Sequence, residues 1–93
     1  VMAKIKAIQY TDDASGDSPL KGQLVKVRGI VTALNIYQDV FKGYFMQDSI
    51  GAWNGIYVYD PVDDNVTIGD SIEIIGTVDE YNNFTELKNV ESL

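Results

Sequence analysis

Lys26 and Arg28 stand two residues apart in one alternating run, and Tyr57 and Tyr59 do the same in another. Residues two apart on a strand project from one face, so each pair presents two like groups to a single surface. Rings beside cations suit single-stranded nucleic acid. Bases stack on rings at about 1–3 kcal/mol each, while cations offset phosphate charge. The same tyrosines also suit cross-strand pairing that only stabilises a sheet. Tyr44 joins this candidate binding cluster, although apolar neighbours at Phe45 and Met46 leave its face undecided. Trp53, in a glycine-containing turn, and Tyr37 and Phe41 in an earlier connection have flat faces that grip sugars as well as bases. For Trp53 the alternative is a plug at one end of the core.

Other chemistry finds little support. The 93 residues contain no cysteine and no histidine, which removes disulfides, thiolates, imidazole bases and the usual zinc sites. Asp12, Asp13 and Asp17, and again Asp60, Asp63 and Asp64, raise calcium. Neither group has the alternating spacing, central glycine and distal Glu of an EF-hand loop, and turns select Asp for their own reasons. No metal and no cofactor are expected. Asp79, Glu80 and Glu86 suggest a carboxylate pair for hydrolysis, but that chemistry needs a desolvated acid in a cleft. A small barrel fills its interior with side chains, so a non-catalytic domain is expected.

The residues that position these groups lie in two glycine-interrupted runs. Val25, Val27, Val31 and Ala33 share one face around Gly29, with Lys26, Arg28 and Thr32 on the other. Ile72, Ile74, Gly76 and Val78 repeat the pattern forty residues on. A glycine inside an alternating strand marks a bulge or bend, so the two runs predict a coiled, closed sheet. Strands are expected at about 23–36, 43–48, 53–59, 71–80 and 84–90, with a tight turn at Asn82-Asn83 before the last. Residues 3–10 suit either a short helix capping the barrel or a first strand, the helix being preferred.

This order predicts an all-β, five-stranded Greek-key OB-fold barrel with a short N-terminal helix. The string Ser15-Gly16-Asp17-Ser18-Pro19, Val27-Arg28-Gly29-Ile30-Val31-Thr32-Ala33, Gly43-Tyr44-Phe45-Met46-Gln47-Asp48, Gly55-Ile56-Tyr57-Val58-Tyr59, Ile68-Gly69-Asp70 and Gly76-Thr77-Val78-Asp79-Glu80-Tyr81 carries a further resemblance. From about Ile5 to Val90 the chain resembles OB-fold domains of secreted and surface proteins of bacteria, including extracellular-nuclease-associated and Bacteroidetes multidomain proteins. The resemblance implies a secreted or cell-surface location and a ligand site on strands one to three with flanking loops. In such domains the connection between strands three and four can carry a helix. Residues 61–67 are too short for it, so it is expected to be absent or reduced to one turn here.

Composition bounds the partners. Hydrophobic residues make up 45% of the chain without a run long enough to span a membrane, so no membrane insertion is expected. The net charge of −7 repels nucleic acid at face value. Residues 1–59 carry a net +1, however, and residues 60–93 a net −8. The first ligand class expected is single-stranded nucleic acid, with Lys26 and Arg28 on phosphates and Tyr57 and Tyr59 on bases. A carbohydrate or a protein bound through the aromatics is the alternative. One monomeric domain spanning 1–93 is expected, and the start at Val1 suggests a segment of a longer protein.

Overall fold

The computed structural model describes residues 3–11, 16–51, 54–61, 66–81 and 84–92. A short helix, α1 (Ile5–Gln9), precedes five strands: β1 (Leu24–Tyr37), β2 (Val40–Gln47), β3 (Gly55–Tyr59), β4 (Ser71–Tyr81) and β5 (Phe84–Ser92). They close into one barrel in the order β1-β2-β3-β5-β4. β3 and β5 run parallel, and the other neighbours are antiparallel. This is the all-β OB-type Greek-key barrel that the alternation predicts. Among the described residues, no helix is long and apolar enough to cross a membrane.

The bent first strand serves two neighbours. Residues 24–30 pair with β4 and residues 30–37 with β2. The change of partner falls beside Gly29, where an added Cβ would lie 2.7 Å from the Gln47 carbonyl oxygen. Only glycine allows the sheet to coil that tightly. Val25, Val27 and Val31 are buried as their parity requires, and Ile74, Gly76 and Val78 of β4 face them. Gly76 sits in the β4–β5 register shift between Ile75 and Thr77.

Two strand boundaries differ from expectation. β2 begins at Val40 because Gln38 and Asp39 both take positive φ, 51° and 63°, and turn the chain in two residues. Such mirror-image turns match strand twist, but Gln-Asp lacks the Asn-Gly signature that announces them. β3 begins at Gly55. Trp53, Asp12, Asp13, Asp63, Asp64 and the Asn82-Asn83 turn lie outside the described residues, as does most of the 61–67 connection.

The N-terminal segment is a helix. Five residues do not sustain one alone, so tertiary contacts hold it. Ile5 and Ile8 are fully buried in the barrel core. The Ile5 amide donates to Asp48 Oδ2 at 2.9 Å, and Gln9 Nε2 donates to the Gly55 carbonyl at 2.7 Å. Asp48 thus satisfies a helix N–H that Lys4, at the N-cap, leaves unbonded.

Candidate functional site

On β2 the inward residues are Tyr44 and Met46, both fully buried, and Phe45 faces out. Tyr44 is therefore a core residue and presents no ring to a ligand. The parity left open by three consecutive apolar residues is resolved by the bulge at Lys42. Asn35 pairs with Gly43 and Ile36 with Phe41, so Lys42 is the extra residue on β2. A bulge re-aims the side chains around it. Phe41 packs against the core while Lys42 lines an outer groove.

That groove, of about 600 Å³, runs across the outer face of β2, β3 and β5. Its rings are Phe45, Tyr57, Tyr59, Tyr81 and Phe84, and its polar groups are Asn35, Lys42 and Glu86. One row of the sheet forms the floor: Phe45 pairs with Tyr57, and Tyr57 pairs with Glu86. The Tyr57 ring lies 4.9 Å from Phe45 and 5.9 Å from Phe84, centroid to centroid, both tilted by about half a right angle. Such contacts add about 0.5–1.5 kcal/mol each beyond burial.

Tyr57 has the outer parity its spacing predicts, yet it is only 7% exposed. The cause is Gly43, whose missing side chain leaves a gap that the tyrosine fills. An added Cβ there would lie 2.9 Å from the Tyr57 hydroxyl and 2.1 Å from the Val58 carbonyl oxygen. Lying over Gly43, Tyr57 reaches β1, where Asn35 Nδ2 donates to its hydroxyl at 2.9 Å. The phenol retains its own hydrogen for donation. Tyr59, opposite the same glycine, stays 43% exposed.

Burial pushes the Tyr57 phenol above its ordinary range, against the Asn35 hydrogen bond, with Glu86 and Tyr59 adding to the rise. Burial also raises the Glu86 carboxyl. Asp79 across the β4–β5 pair reinforces it, and Lys88 opposes it.

Lys26 and Arg28 lie elsewhere. They pair in register with Ile75 and Glu73 of β4, and Arg28 Nη2 sits 2.8 Å from Glu73 Oε1. Together with Lys4, Arg28 borders a separate hollow of about 440 Å³ at the foot of α1. The β1 residue in the aromatic groove is Asn35, seven residues further on, or roughly 23 Å along a strand. The pairs are correct in parity but do not share a surface, because β1 changes partner and turns a corner between them.

The three carboxylates of the β4–β5 hairpin also separate. Glu80 accepts from the Ser18 amide at 3.0 Å and from Thr85 Oγ1 at 2.6 Å, tying the preceding loop to the barrel. Asp79 pairs with Lys88 at 3.5 Å. Glu86 alone of the three enters the groove. Among the described residues, no three His, Cys, Asp or Glu side chains converge as metal ligands.

Sequence reasoning did not assign Asn35, Lys42, Phe45, Tyr81, Phe84 or Glu86 to a binding site. The available signal was the pair of rings bracketing the Asn82-Asn83 turn, beside the β3 tyrosines in any barrel of this order. No family model matches the chain, and no curated protein matches it either.

Proposed function

We propose that the chain is a non-catalytic OB-fold binding module of a secreted or cell-surface protein, and that it takes an oligosaccharide in the aromatic groove. The observation that carries this reading is the composition of one continuous groove: five rings around Asn35, the Tyr57 hydroxyl and Glu86. Sugars present apolar C–H faces that lie on rings and hydroxyls that bond to amide, phenol and carboxylate. The β2–β3 face with its flanking loops is where OB barrels hold oligosaccharides and oligonucleotides. That parallel is one of fold, and the residues favour the first of the two ligands. A polyanion would meet Glu86 in the groove and find Arg28 on another surface, already paired with Glu73.

Single-stranded nucleic acid is the second reading, favoured by Lys42 at the groove beside stackable rings. Calorimetric titration with neutral hexasaccharides and with oligothymidylate separates the two. Glycan binding is expected to persist at about 0.5 M salt, where phosphate-driven binding collapses. Tyr59→Ala is expected to weaken it roughly tenfold, or about 1.4 kcal/mol. Salt-sensitive binding to oligothymidylate, with none to any glycan, would overturn the proposal.

A further inference from the structure

Glu86 is the least expected group in the groove. Its residue is 7% exposed, it stands on the outer face in the Phe45–Tyr57 row, and it lines the cavity. No described residue forms a hydrogen bond or ion pair with its carboxylate. The nearest candidate cations are engaged or distant. Lys88 pairs with Asp79. Lys42 is level with Asp60, whose amide donates to its carbonyl, three residues along β3 from Tyr57 and two strands across. At strand spacings of about 3.3 Å and 4.8 Å, that separates the backbones of Lys42 and Glu86 by roughly 14 Å.

The Glu86 carbon chain is covered, while the carboxylate oxygens open into the groove with no counter-charge from the described residues in contact. Here the open acceptor positions point to donors brought by a ligand. A sugar hydroxyl would fill an acceptor and leave the charge unbalanced, whereas an ammonium group supplies N–H donors and the counter-charge together. The surrounding rings of Phe45, Tyr57 and Phe84 add cation–π attraction. A quaternary ammonium would use the rings but offer Glu86 no donor. The wider field agrees, since β4 and β5, which wall the groove on this side, lie in the segment carrying a net −8.

Resting on the oligosaccharide reading, we infer that the groove selects a glycan with free amines, one ammonium group docking on Glu86. The test is calorimetric titration of the whole chain with three hexamers: glucosamine, N-acetylglucosamine and glucose, all β-1,4-linked. The glucosamine hexamer is expected to bind roughly 10- to 100-fold more tightly than the other two, the range of a charge-assisted hydrogen bond. Glu86→Gln is expected to erase that preference, bringing the glucosamine hexamer to the affinity of the two neutral hexamers in the same variant. Glu91→Gln removes the same charge from an exposed position opposite Ile75 and is expected to preserve it.

Equal binding of all three hexamers, or a preference that survives Glu86→Gln, would overturn the inference and leave the oligosaccharide reading standing. A preference lost equally in Glu91→Gln would assign it to net charge and likewise overturn the inference. Failure of every hexamer to bind would overturn both.

Discussion

Gly43→Ala tests whether one backbone position supports both the barrel and the groove. An alanine Cβ would lie 2.1 Å from the Val58 carbonyl oxygen, where ordinary contact begins at 3.4 Å. The obstacle is backbone in the neighbouring strand, so no side-chain rotation relieves it. β2 must withdraw from β3 by about an ångström, at an overpacking cost of about 1–3 kcal/mol. The retreat also loosens the rungs at Gly43–Tyr59 and Tyr44–Val58, worth about 1 kcal/mol each. A loss near 3–5 kcal/mol corresponds to a fall in Tm of roughly 12–40 °C for a domain of this size. Gly55→Ala is the internal control. It lies in the same pair of strands, yet its added Cβ would be 3.7 Å from the nearest atom, the Met46 carbonyl oxygen. Its effect is expected to stay within about 0.5 kcal/mol. Thermal melts followed by far-UV circular dichroism measure both. Equal shifts in the two variants, or a Gly43→Ala melt like that of the parent, would refute the steric argument.

Three further outcomes follow from named contacts. Glu86 holds its proton to higher pH in the folded chain than in the unfolded one, so its ionisation weakens the fold as pH rises above the ordinary value of 4.5. Glu86→Gln should therefore raise Tm at pH 7 and lose that gain near pH 3.5. An equal gain at both would refute the assignment. Ile8→Ala empties a fully buried site between α1 and the barrel and should cost about 2–5 kcal/mol by chemical denaturation. A loss below 1 kcal/mol would mean that the helix does not cap the core. Arg28→Ala breaks a pair whose arginine side chain is 70% exposed, so it should change stability by less than about 1 kcal/mol and leave hexasaccharide affinity unchanged. A marked loss of affinity would place the ligand on the β1–β4 face instead.

Alternation made the barrel legible because burial on one face repeats every second residue. The valine run of β1 and the isoleucine run of β4 carried that signal through their glycines. Tyr44 was not legible. Three apolar residues in a row give no parity, and the bulge at Lys42 that sets the phase depends on pairing with β1. Placing Lys26 and Arg28 beside Tyr57 and Tyr59 failed for a related reason. Parity says which side of its own sheet a residue faces, but not where around a closed barrel that side points. The groove needed three-dimensional facts: which strand closes against β3, and that Gly43 leaves space for a ring from the next strand. Glu86 read as a partner for Asp79 and Glu80 in a carboxylate pair, because its place in the groove beside Tyr57 appears only once β5 lies between β3 and β4.

The groove coincides with the barrel's thinnest seam. Among the described residues, β3 and β5 share two registered pairs, Tyr57–Glu86 and Val58–Leu87, in a parallel arrangement. Val58 and Leu87 close the seam from inside, both fully buried. From outside it is covered by Tyr57 and the Phe84 ring, with the Glu86 carboxylate opening into the groove beside them. Burying Glu86 there lowers stability at neutral pH, at a position where the barrel has few rungs to spare. A ligand that supplies donors to Glu86 and covers the rings would offset that cost at its origin. Binding should then stabilise the seam as well as fill the groove. By mass action, saturation at a hundred times Kd adds about 2.7 kcal/mol to the folded state. Hydrogen exchange locates the effect: the amides of Tyr57, Val58, Glu86 and Leu87 should slow most on adding the glucosamine hexamer. Protection confined to the β1–β4 face would detach the ligand from the seam and from Glu86 together.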